Sequence, residues 1–158
     1  MPEETLLEYH RDIHKIPEGF AITPKLARQW DRRAHVLDSA DGKIDWAHAE
    51  TLAFASILAE GTPIRLTGQD AARGTFSQRH LVLHGVDGSI HTPLTTLPAA
   101  KASFAVYNSP LSEYGGMGYE YGYTANAPEC LVLWEAQFRD FANGAQIVVD
   151  QFIPSARS

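Results

Sequence analysis

Apolar side chains recur every three or four residues through the first part of the chain, which is the pattern of helices with one buried face. The first such segment spans residues 4–15, and the second begins at Pro24 with exposed charges that favour a position outside the main core. The third, Trp46–Glu60, has Asp45 as a cap and Gly61 as a stop. Its wide apolar face, which includes Trp46, predicts a helix packed inside the domain.

Short apolar runs at residues 63–67, 104–107 and 130–134 predict strands. The last run is continuously apolar, which is typical of a strand buried on both faces. Between the first two runs, Asp87-Gly88 lies among short β segments and predicts a hairpin turn. Residues 141–152 return to helical spacing. Because strands alternate with helices, the predicted fold class is α/β, a mostly parallel sheet with helices on both faces.

The segment after the strand at 104–107 carries candidate chemistry. Pro110 suits a first helical position and Ser109 can cap it, so we expect Glu113 in the first turn of a helix. Ligands of open α/β sheets bind at the carboxyl ends of strands, which makes Glu113 a candidate functional residue. Polar residues also follow the other two strands, at Gln69-Asp70 and at 135–138. We expect these three loops to converge.

Four glycines interrupt the helix of Glu113, and each costs about 1 kcal/mol relative to alanine. A helix tolerates them where a ligand or another helix approaches its backbone. The same residues also fit a simpler arrangement, in which Glu113 is a surface charge that complements the helix dipole. Spacing alone leaves both interpretations open. The four positions are Gly115, Gly116, Gly118 and Gly122.

Composition and charge exclude several classes of protein. The 158 residues, 44% hydrophobic and 20% charged, suffice for one globular domain with a core. A net charge of −6 without a basic run predicts neither a nucleic-acid nor a membrane partner. The single cysteine, Cys130, fits a buried structural thiol. Since no segment has the apolar length of a signal core or a membrane span, we expect a cytoplasmic chain.

Three histidines, His80, His84 and His91, fall in the predicted hairpin region. On a strand, His80 and His84 would share one face, which is compatible with a metal site. No third ligand has matching spacing, so we assign no metal ligand in the chain. A histidine-based, β-rich metal-binding domain is the weakest alternative.

Seven motifs follow one another in the order found in one family. They are Ile16-Pro-Glu-Gly-Phe20, Gly42-Lys-Ile-Asp-Trp46, Leu66-Thr-Gly-Gln-Asp70, Arg73-Gly-Thr-Phe-Ser-Gln-Arg-His80, Tyr107-Asn-Ser-Pro-Leu-Ser-Glu-Tyr114, Tyr119-Glu-Tyr-Gly-Tyr123 and Leu133-Trp-Glu-Ala-Gln-Phe-Arg-Asp-Phe-Ala-Asn-Gly-Ala-Gln146. The chain thereby resembles the E1 component of 2-oxoglutarate dehydrogenase, in its transketolase-like pyrimidine-binding domain. The resemblance implies a three-layer α/β/α domain over residues 42–158, truncated at its C-terminal end, after an N-terminal helical lead-in at 1–41.

The same resemblance implies thiamine diphosphate as cofactor and oxidative decarboxylation of 2-oxoglutarate, a step of the tricarboxylic acid cycle. By similarity, Glu113 is the catalytic glutamate, whose carboxyl hydrogen-bonds the aminopyrimidine ring and favours the tautomer that deprotonates the thiazolium carbon. A carboxyl that donates a proton at neutral pH needs an apolar wall, expected from Leu111, Tyr114 and Met117. The cofactor-binding residues implied in this way are Gln69, Leu111, Glu113, Phe138 and Phe141.

The chain departs from the family pattern at Ala71 and Ala72, where a polar pair is usual, and at Arg139, where glycine is usual. The family's diphosphate-binding domain, with the Mg²⁺ ligands, is expected to precede the chain, and a substrate loop to follow it. We therefore expect the isolated chain to be inactive. Its implied partners are a 2-oxo acid substrate, the diphosphate-binding domain or subunit, and a second copy in a homodimer through Gly118-x-x-x-Gly122. The main alternative is a non-catalytic dimerisation or interaction module derived from this domain.

Overall fold

The computed structural model describes residues 1–39, 41–137 and 144–155. The helices found in these ranges are α1 (Glu3–Ile13), α2 (Pro24–Ala34), α3 (Trp46–Glu60), α4 (Glu113–Asn126) and α5 (Gln146–Gln151). The strands are β1 (Ile64–Gly68), β2 (Leu83–His84), β3 (Ile90–His91), β4 (Phe104–Asn108) and β5 (Leu131–Glu135), with a short 3₁₀ helix at Pro93–Thr95. None of these helices is long and apolar enough to cross a membrane.

Strand β1 is the centre of a three-stranded parallel sheet with the order β4-β1-β5. Gly68, the last residue of β1, pairs with Asn108 of β4 on one side and with Glu135 of β5 on the other. The three carboxyl ends therefore lie at one edge of the sheet. Strands β2 and β3 form a separate antiparallel hairpin. The predicted parallel sheet and the predicted hairpin turn are both confirmed.

Alternate side chains of β1 point to opposite faces of the sheet. Ile64 and Leu66, 1% and 3% exposed, join Leu58 of α3 in the apolar core. Arg65 lies on the other face, where its Nε and Nη2 donate to the carboxylate of Glu120 on α4 at 2.7 and 3.0 Å. Helices α3 and α4 thus cover opposite faces, which confirms the α/β/α arrangement.

The N-terminal helices contribute to the core on the α3 side. Helix α1 packs on α3 and buries Tyr9 and Ile13. The prediction that α2 lies outside the main core is wrong, because Trp30 is 6% exposed within the same cluster. Arg33 is one of the charged residues of α2 that the sequence predicts to be exposed, but it is buried and donates to two backbone carbonyls. The boundary after residue 41 stays a prediction.

Helix α3 begins and ends as predicted. Asp45 accepts a hydrogen bond from the backbone N–H of His48 at 2.7 Å, and Gly61 ends the helix with a φ of +96°. The predicted apolar face is wrong at Trp46, which is 92% exposed. The buried face instead contains Ala47, His48, Thr51, Leu52, Phe54, Ala55, Leu58 and Ala59. Two of these residues, His48 and Thr51, are polar, so hydrophobic spacing did not predict them on the buried face.

The last strand and helix differ from their predicted form. Strand β5 is half-buried along its length rather than buried on both faces. It pairs with β1 on one side, and the described chain supplies no strand beyond it. Helix α5 begins at Gln146, and residues 141–143 of the predicted helix lie outside the described ranges.

Candidate functional site at the strand ends

The junction between β4 and α4 places Glu113 at the first position of the helix. The cap is Ser112, which has an extended backbone and whose Oγ accepts a hydrogen bond from the N–H of Gly115 at 3.4 Å. The predicted cap at Ser109 is wrong, since its Oγ accepts from the N–H of Leu111 at 3.2 Å in a local turn before the helix. Glu113 keeps its predicted place in the first turn, whereas Leu111 precedes the helix.

The half-buried side chain of Glu113 packs on the backbone of Gly144, which precedes α5. A Cβ atom at position 144 would lie 2.8 Å from Oε2 and 3.4 Å from Cβ of Glu113. Glycine therefore leaves the carboxylate its space. The apolar wall expected around it is not closed, because Leu111 is 46% and Tyr114 54% exposed. Met117, the third expected member, is half-buried.

Direct hydrogen bonds connect the loops at the strand ends. Gln69, exposed immediately after β1, accepts at its backbone carbonyl a hydrogen bond from Nε2 of Gln137 at 2.5 Å. Gln137 lies two residues after β5. The backbone N–H of Ser109, directly after β4, donates to the carbonyl of Gly68 at 2.9 Å. The three strand ends therefore meet as predicted, and the convergence of Leu111 and Glu113 with Gln69 stays a prediction.

The two alanines that depart from the family pattern are buried in the loop after β1. Ala71 is 0% and Ala72 9% exposed. The N–H of Ala72 donates to Oδ1 of Asn108 at 3.0 Å, and the carbonyl of Ala71 accepts from Nη1 of Arg79 at 3.0 Å. The loop is held through its backbone, so small side chains are compatible with its shape.

Buried Arg79 connects this edge of the sheet to α3, a role that the sequence patterns did not reveal. Its Nε and Nη2 donate to Glu50 at 2.6 and 3.1 Å, and its Nη1 donates to Glu135 at 2.5 Å. Burial alone lowers the pKa of Arg79, but the hydrogen bonds to Glu50 and then Glu135 raise this pKa above its ordinary value. Because the partners lie 29 and 56 residues away, no local pattern indicates them.

The glycines of α4 differ in their surroundings. A Cβ atom on Gly116 would lie 2.7 Å from Nε1 of Trp134, so this glycine lets the helix approach β5. One on Gly118 would lie 4.0 Å from Cγ2 of Val148, and one on Gly122 would meet no described atom within 4 Å. Close helix packing therefore explains Gly116 within the chain. The homodimer predicted through Gly118 and Gly122 stays a prediction.

Three predicted positions, Phe138, Arg139 and Phe141, lie outside the described ranges. The hairpin histidines do not share a strand face, since His80 precedes β2 with a φ of +54° and His84 is exposed. Across residues 1–39, 41–137 and 144–155, the single group of three converging metal-ligating side chains lies elsewhere, at His10, His14 and His48.

The carboxyl edge of the parallel sheet carries polar loops and a glutamate at the first position of a helix. This arrangement is typical of α/β domains that bind a ligand at their strand ends. Residues 42–158 match the family described as "Transketolase, pyrimidine binding domain". The chain belongs to this family.

Named relatives agree with this assignment. The chain is 57% identical over 157 residues to the 2-oxoglutarate dehydrogenase E1 component of Geobacillus kaustophilus, with 99% of this chain and 16% of the relative covered. It is 54% identical over 156 residues to the E1 component of an Exiguobacterium species, with 98% and 16% covered. The sequence resemblance is therefore confirmed. The chain spans 16% of the length of these curated relatives.

Proposed function

We propose that the chain is the pyrimidine-binding part of a thiamine-diphosphate-dependent 2-oxoglutarate dehydrogenase E1 component, with Glu113 as its catalytic residue. The observation that carries this proposal is the position of Glu113. In a chain of the transketolase pyrimidine-binding family, it opens a helix at the carboxyl edge of the parallel sheet. The names of the relatives support 2-oxoglutarate as the substrate of the whole protein.

The side chains at this edge suit an aminopyrimidine ring, which has apolar faces and hydrogen-bonding edges. Leu111 exposes an apolar side chain two residues before Glu113, and Gln69 exposes an amide after β1. Because residue 144 is a glycine, no side chain at that position crowds the carboxylate of Glu113. When bound, thiamine diphosphate supplies the carbon nucleophile and the electron sink for decarboxylation of a 2-oxo acid.

Five residues of the chain have a role in this proposal. Glu113 would exchange a proton with a ring nitrogen of the cofactor and so act as a general acid–base group. Leu111 would contact the cofactor through its apolar side chain, and Gln69 would bind it from the strand-end loop. By similarity to the family, Phe138 and Phe141 are the aromatic residues expected to contact the pyrimidine ring. All five assignments rest on similarity to the family, and that of Glu113 also rests on its position at the carboxyl edge of the sheet.

The remaining features of the proposal concern the whole protein. A diphosphate-binding domain or subunit supplies the Mg²⁺ ligands, and two copies form a homodimer in the cytoplasm. Neither nucleic acid nor a membrane is a partner. By itself, the chain holds only the pyrimidine end of the cofactor, so we expect it to show no decarboxylation.

Exposed side chains at the same edge favour a second candidate function. Leu111 and Tyr114 are both about half exposed. Exposed apolar side chains of this kind suit an interaction module that binds another protein and no cofactor. Cofactor binding separates the two functions.

The test is calorimetric titration of thiamine diphosphate with Mg²⁺ into a protein that contains this chain and a diphosphate-binding domain. Leu111→Ala should weaken binding about tenfold or more, since it removes apolar contact with the cofactor. The matched control is Ile147→Ala on α5, which truncates a side chain that is 55% exposed. Loss of affinity in the Leu111 variant alone supports the proposal. Absence of cofactor binding in the unmodified protein overturns it in favour of the interaction module.

A further inference from the structure

Three histidines converge where α1 and α3 pack together. His10 lies on α1, His14 directly follows that helix, and His48 lies in the first turn of α3. One ring nitrogen from each lies within 4.8 Å of the other two, and Nδ1 of His10 is 3.0 Å from Nε2 of His48. His10 and His48 are each 3% exposed, and His14 is half-buried. The group is built into the interior.

Backbone carbonyls orient two of these rings. Nε2 of His10 is 2.9 Å from the carbonyl oxygen of Ala34, and Nδ1 of His14 is 2.7 Å from that of His10. A carbonyl oxygen only accepts hydrogen bonds, so both of these nitrogens carry hydrogen. In a neutral ring the opposite nitrogens, Nδ1 of His10 and Nε2 of His14, carry lone pairs, and Nε2 of His48 then donates its hydrogen to Nδ1 of His10 at 3.0 Å. Metal-binding histidines are commonly oriented by such outer hydrogen bonds.

A positive charge lies near the rings, because Arg33 lines the same cavity as His14 and His48. The charge of Arg33 is itself opposed by Asp45, whose Oδ2 lies 3.2 Å from its Nη2.

Space for a further ligand adjoins the rings. His14 and His48 line a cavity of about 10 Å³, together with Trp30, Thr51 and the ion-paired Arg33 and Arg79. This volume is about the size that holds one water molecule. Three imidazoles and one water complete the four-coordinate geometry that zinc prefers.

We propose that His10, His14 and His48 bind one divalent transition-metal ion of the zinc class. The ligand atoms are Nδ1 of His10, Nε2 of His14 and Nε2 of His48, and the hydrogen on Nε2 of His48 moves to Nδ1 of the same ring when the metal binds. Two nitrogens at about 2.0–2.1 Å from a tetrahedral zinc ion are about 3.3 Å apart. The observed 3.0 Å between His10 and His48 requires only a small opening of the pair. Imidazole ligands without thiolate or carboxylate suit zinc, nickel or copper rather than magnesium or calcium.

Bound metal would cross-link the N-terminal helix α1 to α3. This site is independent of the thiamine proposal, because none of its ligands lies at the strand ends. It lies instead on the α3 side of the sheet, where Tyr9 and Ile13 of α1 already join the core. The expected role is structural, because the metal would hold α1 of the N-terminal helical segment against α3 of the domain.

The test uses the purified chain after removal of metals with a chelator. Titration with zinc chloride should show one equivalent of binding and a rise in melting temperature. Cobalt(II) should give the strong visible absorption of a four-coordinate ion. His14→Gln and His48→Gln should each weaken zinc binding by at least about 10- to 100-fold. The exposed histidines provide matched controls, since His35→Gln and His84→Gln should leave the affinity unchanged.

Two results overturn the proposal. One is zinc binding of equal strength in the unmodified chain and all four variants, which makes the contact adventitious. The other is an unmodified chain whose melting temperature does not change with zinc, in which case the histidines form only a hydrogen-bonded cluster. If the His14 and His48 variants do not fold, the cobalt spectrum of the unmodified chain decides. A four-coordinate spectrum with one equivalent bound supports the site, and its absence refutes it.

Discussion

The two faces of the parallel sheet are held by different kinds of contact. Towards α3, Ile64 and Leu66 of β1 meet Leu58 in a core from which water is excluded, all three being at most 3% exposed. Towards α4, the corresponding contact is the ion pair between Arg65 and Glu120. Three tyrosine rings surround the Arg65 guanidinium at 4.7–5.4 Å, namely those of Tyr107, Tyr119 and Tyr123.

We infer that the α3 face of the sheet mainly provides stability and that the α4 face mainly positions the residues of the candidate site. Apolar burial towards α3 provides the non-directional driving force for folding. Directional contacts towards α4 fix the position of the helix that begins with Glu113. We therefore expect substitutions on the α3 face to change mainly the free energy of unfolding, and substitutions at the start of α4 to change mainly the reaction. The following predictions test this division.

The largest effect is expected for Glu113→Gln in the assembled thiamine enzyme. The rate of thiazolium-proton exchange, followed by NMR, should fall about 10²- to 10⁴-fold, because the amide cannot act as an acid–base group. The melting curve should change little, since loss of a helix-end charge costs only about 0.3–1 kcal/mol. Glu129→Gln, at an exposed glutamate, is the control. Unchanged exchange with a small loss of stability would make Glu113 a helix-end charge only.

Core truncation compares the two faces directly. Leu58→Ala should lower the free energy of unfolding by about 2–5 kcal/mol, because the side chain is 0% exposed and its removal leaves a cavity. Met117→Ala, at a half-buried position of α4, should cost less than half as much. Urea denaturation of both variants measures the difference. Equal losses would contradict the division between the faces.

Glu120→Gln tests the ion pair of the α4 face. The side chains of Arg65 and Glu120 are 16% and 8% exposed, so removal of one charge should cost about 1–3 kcal/mol in free energy of unfolding. The double variant Arg65→Met, Glu120→Leu should recover part of this loss, because paired replacement removes the desolvation penalty of both charges. A double variant less stable than Glu120→Gln would show that the pair itself stabilises this face.

The smallest effect is expected at His91, which is 7% exposed and whose Nε2 has no hydrogen-bond partner among the described residues. Burial lowers the pKa of His91 below its ordinary 6.5. Below that pH the unfolded chain binds a proton that the folded chain resists, so stability should decrease as the solution is acidified. His91→Leu should show a shallower decrease in melting temperature with falling pH. A slope equal to that of the unmodified chain would contradict this assignment.

Features with a local signal were predictable from the sequence. The Asp45 cap, the Gly61 stop and the turn at Gly88 depend on neighbouring residues, and all three appear in the structure. The start of α4 was predicted from Pro110 after Ser109, and this signal was misleading. The extended backbone of Ser112 and its hydrogen bond to Gly115 determine the start instead.

Long-range side-chain contacts could not be predicted in this way. His10 and His48 are 38 residues apart, and Arg79 and Glu135 are 56 apart. Their proximity depends on how helices pack and on strand register, which hydrophobic spacing does not specify. The strand–helix junction and the family resemblance both pointed to Glu113, but neither indicated that its side chain packs on the backbone of Gly144.

The strand order has a consequence for synthesis on the ribosome. Strand β1 ends at Gly68, but its two neighbours begin only at Phe104 and Leu131. At about 5–20 residues per second, β4 is complete roughly 2–8 seconds after β1. During this interval both edges of the central strand lack their native partners in the nascent chain. Helix α3 is already synthesised and can shelter the apolar face of β1. The unpaired backbone N–H and C=O groups of β1 can then bind other chains, so aggregation or chaperone binding competes with folding during this interval.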